Sequence, residues 1–132
     1  PFGNASTIFK IVIEYCNNSR VPPYLGVIKR HRPDDFLVSC NLDGYSLALD
    51  FSVNDRNRSR LSSLLNELDK MVVESGGRFY FAKDSTLRPE SARSFLGPKT
   101  LASLKKLKLL CDPDGILESN LSRRILPELH GY

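Results

Sequence analysis

Leu61-Ser62-Ser63-Leu64-Leu65-Asn66-Glu67-Leu68-Asp69-Lys70-Met71-Val72-Val73-Glu74-Ser75-Gly76-Gly77-Arg78-Phe79-Tyr80-Phe81-Ala82-Lys83 reads as a helix, a stop and a strand. Leu61, Leu64, Leu65, Leu68, Met71 and Val72 recur at helical spacing and make one apolar stripe. Gly76-Gly77 stands where a helix needs a residue that tolerates positive φ to turn out of its last turn. From Arg78 to Lys83 the alternation is that of a strand, with Phe79 and Phe81 on the face opposite Arg78, Tyr80 and Ala82.

Upstream, Phe9, Val12, Ile13 and Cys16 put an apolar stripe on a first helix over residues 6–17, which Ser6 or Thr7 could cap. Pro22 and Pro23 end any helix, and Tyr24 to His31 follows as a strand. Leu25, Val27, Lys29 and His31 fall on one of its faces, Tyr24, Gly26, Ile28 and Arg30 on the other. Phe36 to Leu42 and Tyr45 to Val53 read as two strands joined around Asp43-Gly44, a dipeptide suited to the positive φ of a tight hairpin. In the second arm Leu47, Leu49 and Phe51 alternate with Ser46, Ala48 and Asp50, so one side packs and the other can meet solvent or a ligand. Downstream, Pro89 to Phe95 forms a short helix, Gly97-Pro98 opens another to about Leu110, and Asp112-Pro113-Asp114-Gly115 breaks it.

The expected fold class is α+β, an antiparallel sheet with helices on one face and a helical C-terminal tail. The element order suits a ferredoxin-like split βαβ arrangement that lacks its first strand, because the first helix begins within a few residues of Pro1. A length of 132 residues suits one domain with one core. The absence of a starting methionine suggests an excised or processed piece.

Cys16, Cys40 and Cys111 are odd in number and include no C-x-x-C pair, which argues against a disulfide framework and a zinc site and favours mostly buried, reduced thiols. Asn4, Asn17, Asn57 and Asn120 begin N-x-[ST] triplets, a motif too frequent by chance to place the chain in a secretory pathway. No signal peptide precedes the first element and no apolar run reaches the ~20 residues of a membrane span. A cytoplasmic or membrane-associated location is expected. The net charge of +4 lies largely on Lys99, Lys105, Lys106 and Lys108, the solvated face of one helix.

Several segments, in order, resemble the C-terminal domain of FAD-linked oxidases of the vanillyl-alcohol-oxidase type, within these the decaprenylphosphoryl-β-D-ribose-oxidase-like proteins. They are Tyr24-Leu25-Gly26-Val27-Ile28-Lys29-Arg30, Gly44-Tyr45-Ser46-Leu47-Ala48-Leu49-Asp50-Phe51, Gly76 to Ser85 with the helix before it, and the tail Cys111 to Leu117 with Ser119, Leu121, Ser122, Arg123 and Arg124. The resemblance implies a cap or substrate domain that roofs a flavin held by an N-terminal FAD-binding domain, and a full-length FAD-dependent oxidoreductase. The reaction implied is oxidation of a hydroxyl carbon of a sugar, sugar lactone or lipid-linked sugar by hydride transfer to flavin. The fragment alone is expected to be inactive, because it has no glycine-rich phosphate cradle of its own.

The resemblance also carries site residues. Lys83 matches a lysine beside flavin and substrate, making it a catalytic and cofactor-binding candidate, and Tyr80 matches a nearby tyrosine. Lys29 matches a second pocket lysine, while His31 and Ala48 stand where relatives have an aromatic residue and a cysteine. With Val27 and Ser46 these complete a substrate-binding set, for which the small, polar side chains of that sheet face give independent support. No metal ligands are expected. The plain alternatives are a strand-end Lys83 paired with Asp84, and Arg123 and Arg124 tying the tail to the sheet rather than clamping phosphate.

The expected partners are the chain's own FAD-binding domain, a sugar-type small molecule, and a second copy through an exposed sheet edge. Membrane association is expected only through a lipid-linked substrate, and nucleic acid is not expected. Two other functions fit a basic ferredoxin-like domain: an RNA-binding module, for which Arg78-Phe79-Tyr80-Phe81 is an imperfect aromatic motif, and a structural dimerisation domain.

Overall fold

A computed structural model of the chain describes residues 1–130. The chain is α+β, as expected, and its elements run α1 (Ala5–Asn18), β1 (Leu25–His31), β2 (Gly44–Asp50), α2 (Arg58–Glu74), α3 (Pro89–Cys111) and α4 (Asn120–Ile125), with short 3-10 turns at Phe81–Lys83 and Pro127–Leu129. Residues group into two compact units, one of Pro1–Asp34 with Asn41–Arg78, the other of Asp35–Cys40 with Phe79 onward.

In the first unit, β1 and β2 pair antiparallel, Leu25 opposite Asp50 through His31 opposite Gly44. Residues two apart share a face, so Leu47 and Leu49 point together into the core that Val12, Cys16, Val21, Leu61, Leu64 and Leu68 form beneath the ribbon. Each buried leucine there contributes about 2 kcal/mol through apolar area removed from water. The α1 stripe differs from the expected one by a rotation of the helix. Ala5, Val12 and Cys16 are buried, while Ile13 is 40% exposed. Neither Ser6 nor Thr7 caps α1. Its N-cap is Asn4, whose amide reaches the Ser75 carbonyl at the end of α2 instead of capping its own helix.

Two expected strands do not form. Phe36 to Leu42 is irregular, and β2 pairs with β1. Asp43-Gly44 is therefore no hairpin turn, and Gly44 does not adopt positive φ. Its missing side chain serves close approach: a Cβ there would lie 3.0 Å from Phe2 N and the Pro1 carbonyl carbon. Arg78 to Lys83 is extended coil ending in the 3-10 turn. In a split βαβ unit the last strand pairs with the first, and no strand precedes α1 among the described residues, so this segment has no ladder to join. The order helix, strand, strand, helix that remains is the middle of that unit.

At the end of α2, the Gly77 N–H donates to Val72 O at 2.8 Å and the Gly76 N–H to Val73 O at 3.0 Å, with Gly76 at φ +72. This Schellman closure is the stop expected from Gly76-Gly77.

In the second unit, Leu87, Ala92, Ile125, Leu126 and Leu129 are buried, and Phe79, Phe81, Phe95 and Leu121 pack on them. Phe79 and Phe81 both meet Phe95, with ring centroids 5.8 and 5.5 Å away. They are core residues, so they do not form the exposed stacking strand that an RNA-binding reading of Arg78 to Phe81 requires. The two expected helices over residues 89–110 are present as α3, kinked where Gly97 adopts φ +76 before Pro98. Of the lysines placed on its solvated face, Lys99, Lys105 and Lys106 are exposed, but Lys108 is withdrawn and paired with Asp112. The thiols differ from expectation too: Cys16 is buried, Cys40 half-buried and Cys111 exposed. Burial pushes the Cys16 thiol's pKa up and keeps it protonated. No described helix is long and apolar enough to cross a membrane.

Candidate functional site

The β1–β2 register decides which side chains share the face turned away from the core. Val27 is opposite Ala48 and Lys29 opposite Ser46, with His31 at the end of the same row. The ribbon thus brings all five candidate residues of the first unit onto one face, opposite the one that carries Leu47 and Leu49. Val27 and Ala48 form a small apolar floor. Lys29, Ser46 and His31 form a polar end.

His31 Nε2 lies 2.8 Å from Ser46 Oγ. Either the imidazole N–H donates to the hydroxyl, or the hydroxyl donates to a bare ring nitrogen. Lys29 and Ser46 are exposed and His31 half-buried. The row offers one ammonium, one hydroxyl and one imidazole on a rigid ladder, a set suited to a ligand rich in hydroxyls or carrying an anionic group. Leu25 and Asp50, opposite one another, complete the face at its far end. The candidate set drawn from the sequence omits this pair, although the alternation along β1 and β2 that selects the polar centre of each strand extends to both residues.

Tyr80 and Lys83 belong to the second unit, where the Lys83 N–H donates to the Tyr80 carbonyl at 3.0 Å and closes the 3-10 turn. Tyr80 is 58% exposed, and Lys83 is exposed and in no ion pair among the described residues. Lys83 does not pair with Asp84. That carboxylate accepts from Leu87 N–H at 2.9 Å and Thr86 N–H at 3.2 Å, and from Arg124 at 2.7 Å. The Lys83 cation is therefore left to solvent or to a ligand.

The tail motif holds this unit together. Arg124 donates to the Leu87 carbonyl at 2.6 Å as well as to Asp84. Arg123 pairs with Glu118 within the tail itself, and Arg124 alone ties the tail to the segment of Asp84 and Leu87, so both guanidiniums are engaged by protein acceptors rather than by the sheet. Ser119 and Ser122 form a reciprocal cap at the start of α4. Asp112, only 6% exposed, accepts from the Ile116 and Leu117 N–H groups at 2.8 and 2.9 Å and pairs with Lys108. The Lys108 hydrogen bond, then these two N–H groups, hold its carboxyl below the usual carboxylate range against the opposing effect of burial. The described residues contain no cluster of potential metal ligands.

No protein-family model matches the chain. Over 118 residues, 89% of its length, the chain is 30% identical to decaprenylphosphoryl-β-D-ribose oxidase of Mycolicibacterium smegmatis. The similarity is to an oxidase. It supports the FAD-linked oxidase relationship expected from the motifs. A second relative, described as an uncharacterized protein in the mprA 5'region of Streptomyces coelicolor, is 33% identical over 82 residues, 62% of the chain. The chain spans 24% of the oxidase and 21% of the second protein, about a quarter of the length of the curated relatives it matches.

Proposed function

We propose that this chain is the substrate-side domain of an FAD-dependent oxidoreductase that oxidises a hydroxyl carbon of a sugar, sugar lactone or lipid-linked sugar. The observation that carries this reading is the register of the ribbon, which sets Lys29, Ser46 and His31 beside the small apolar pair Val27 and Ala48 on a face that the core does not use. A sugar presents the same combination, hydroxyls around its rim and C–H groups on its faces. Similarity to an oxidase that carries a lipid-linked sugar in its name supports the substrate class.

The chain's residues fit a flavin in part. A free cation at Lys83 and a phenol at Tyr80 suit the polar edge of an isoalloxazine ring. The positive-φ glycines, Gly76, Gly97 and Gly115, do not form a phosphate cradle: none lies between a strand and the helix it leads into. The dinucleotide is thus assigned to a partner domain, and the isolated chain is inactive. A flavin held there would supply the hydride acceptor. Lys29, Ser46 and His31 hold and orient the hydroxyls, and the His31 imidazole accepts the hydroxyl proton that leaves as hydride is transferred. Lys83 supplies a fixed positive charge that stabilises negative charge developing during hydride transfer, and Tyr80 orients the groups beside it.

The test is Lys83→Met in the full-length protein, which keeps the aliphatic stem and removes the cation. Single-turnover flavin reduction should slow by about tenfold or more with little change in folding. Reduction at the unaltered rate would remove Lys83 from the mechanism.

A further inference from the structure

The second half of α3 is a basic helix whose leucines do not all face the core. Leu101 and Leu104 pack inward and Lys108 is withdrawn toward Asp112, which defines the packed face. Successive residues turn by about 100°, so Lys99, Lys106 and Leu110 line the opposite face, with Leu107 and Leu109 on its flanks. All five are exposed, Leu110 at 76%. Leu110 lies one turn beyond Lys106, so the helix ends in an apolar tip with the two lysines set back behind it.

The loop after α3 adds Ile116 and Leu117 to that tip, at 78% and 71% exposure. Lys108 Nζ bonds both Asp112 and the Leu117 carbonyl and so ties the loop to the last turn of the helix. A loop that enters an apolar phase has to satisfy its own backbone, since nothing there replaces water as a hydrogen-bond partner. This loop does so. The Ile116 and Leu117 N–H groups donate to the Asp112 carboxylate at 2.8 and 2.9 Å, the Leu117 carbonyl accepts from Lys108 at 2.6 Å, and the Ile116 carbonyl accepts from Glu118 N–H at 3.1 Å. Lys108 also neutralises the carboxylate that holds the pair.

We propose that the C-terminal end of α3 and the Ile116–Leu117 tip dock on an anionic lipid bilayer, with the apolar side chains entering the boundary between headgroups and acyl chains and Lys99 and Lys106 meeting lipid phosphates. Charge complementarity selects this occupant. Residues 98–111 carry four lysines and no carboxylate. In the loop that follows, Asp112 is paired with Lys108 and Glu118 with Arg123, which leaves Asp114 against the exposed lysines. A basic helix that exposes leucines matches a surface that is anionic outside and hydrocarbon beneath. Long lysine stems keep the ammonium groups at phosphate level while the leucines go deeper. The proposal uses residues of the second unit alone and needs neither the flavin nor a lipid-linked substrate.

Co-sedimentation of the full-length protein with vesicles tests it, using phosphatidylcholine alone and phosphatidylcholine mixed with phosphatidylglycerol, neither containing a lipid-linked sugar. The protein should bind the mixed vesicles at least about tenfold more tightly and lose that preference at ~1 M salt, where surface charges are screened within about 3 Å. Lys99→Gln with Lys106→Gln should weaken binding to the mixed vesicles by about fivefold for each lysine removed. Ile116→Ser with Leu117→Ser should weaken it by at least about tenfold, with the circular dichroism spectrum unchanged because both side chains are exposed. Failure of the native protein to bind the mixed vesicles would overturn the proposal, and so would unaltered binding by the two double variants. A loss of self-association by Ile116→Ser/Leu117→Ser in lipid-free buffer, with vesicle binding intact, would overturn it as well, since the surface would then be a contact between copies of the protein.

Discussion

His31 Nε2 and Ser46 Oγ meet at 2.8 Å across the β1–β2 ribbon, although fifteen residues separate them in the chain. The contact lies on the exposed side of the ladder, so it adds little to stability and much to the placement of two hydrogen-bonding groups. Ser46→Ala should therefore shift the urea midpoint by no more than ~0.5 kcal/mol in equivalent stability. On the proposed reading, it should raise the substrate KM of the full-length protein by roughly tenfold, the loss of one oriented hydrogen bond. Steady-state kinetics beside urea unfolding separates the two effects. An unchanged KM would leave Ser46 a plain surface serine.

Gly77 is confined by the last turn of α2. A Cβ there would lie 2.7 Å from Val72 Cγ1 and 2.9 Å from Val72 O, the carbonyl that its own N–H must reach. Gly77→Ala should cost about 1–2 kcal/mol, and Gly76→Ala about 1 kcal/mol for forcing a side chain into positive φ. Gly3, where an added Cβ would meet nothing within 4 Å, is the control and should accept Ala without loss. Urea unfolding of the three variants checks the order, and a Gly77→Ala chain as stable as Gly3→Ala would contradict the Schellman closure.

Local signals in the sequence carried as far as local physics reaches. The helix over Leu61 to Val72, its Gly76-Gly77 stop and the break at Asp112 each depend on neighbours in the chain, and all three form as expected. The strand alternation of Leu25 to His31 and of β2 also suffices to place Val27, Lys29, His31, Ser46 and Ala48 on one face. Strand existence is different, because a strand needs a partner that its own residues do not name. Phe36 to Leu42 and Arg78 to Lys83 have strand-like alternation without a ladder, and Phe79 and Phe81 satisfy their apolar surface against Phe95 instead. Asp43-Gly44 misled for a related reason: the glycine answers to the distant Pro1–Phe2 backbone rather than to a turn.

Arg124 joins two segments of the second unit that are far apart in sequence. Its guanidinium bonds the Leu87 carbonyl and the Asp84 carboxylate, and Asp84 in turn receives the Thr86 and Leu87 N–H groups. Leu87 is fully buried, so the carbonyl has no ready water to replace the arginine. Arg124→Met should destabilise the chain by about 2 kcal/mol, and Arg124→Lys should recover only part of this because an ammonium cannot span both acceptors in a planar fork. Thermal and urea unfolding of both variants tests the bridge. Equal stability of the Lys and native chains would show that charge alone suffices.

Three carboxyls of the second unit have their pKa values held down in the folded chain. Asp112 is lowered chiefly by the Lys108 hydrogen bond, Glu118 by those of Arg123 and His130, and Glu128 by that of Arg93, in each case against some burial. In the unfolded chain these groups return to the ordinary carboxylate range, about 4. A folded-state value below the unfolded one means that the unfolded chain binds protons first as pH falls. The stabilisation is then complete above the ordinary carboxylate range and disappears as pH drops through the depressed folded values. The urea midpoint should accordingly be flat from neutrality down to about pH 5 and fall steeply below pH 4, a window set by these carboxyls. Asp112→Asn removes the charge that Lys108 and the two N–H groups favour. It should lower stability at pH 7 and make the acid limb shallower, since one proton-linked group is gone. A parallel acid limb in native and Asp112→Asn chains, measured by circular dichroism, would show that Asp112 does not contribute to it.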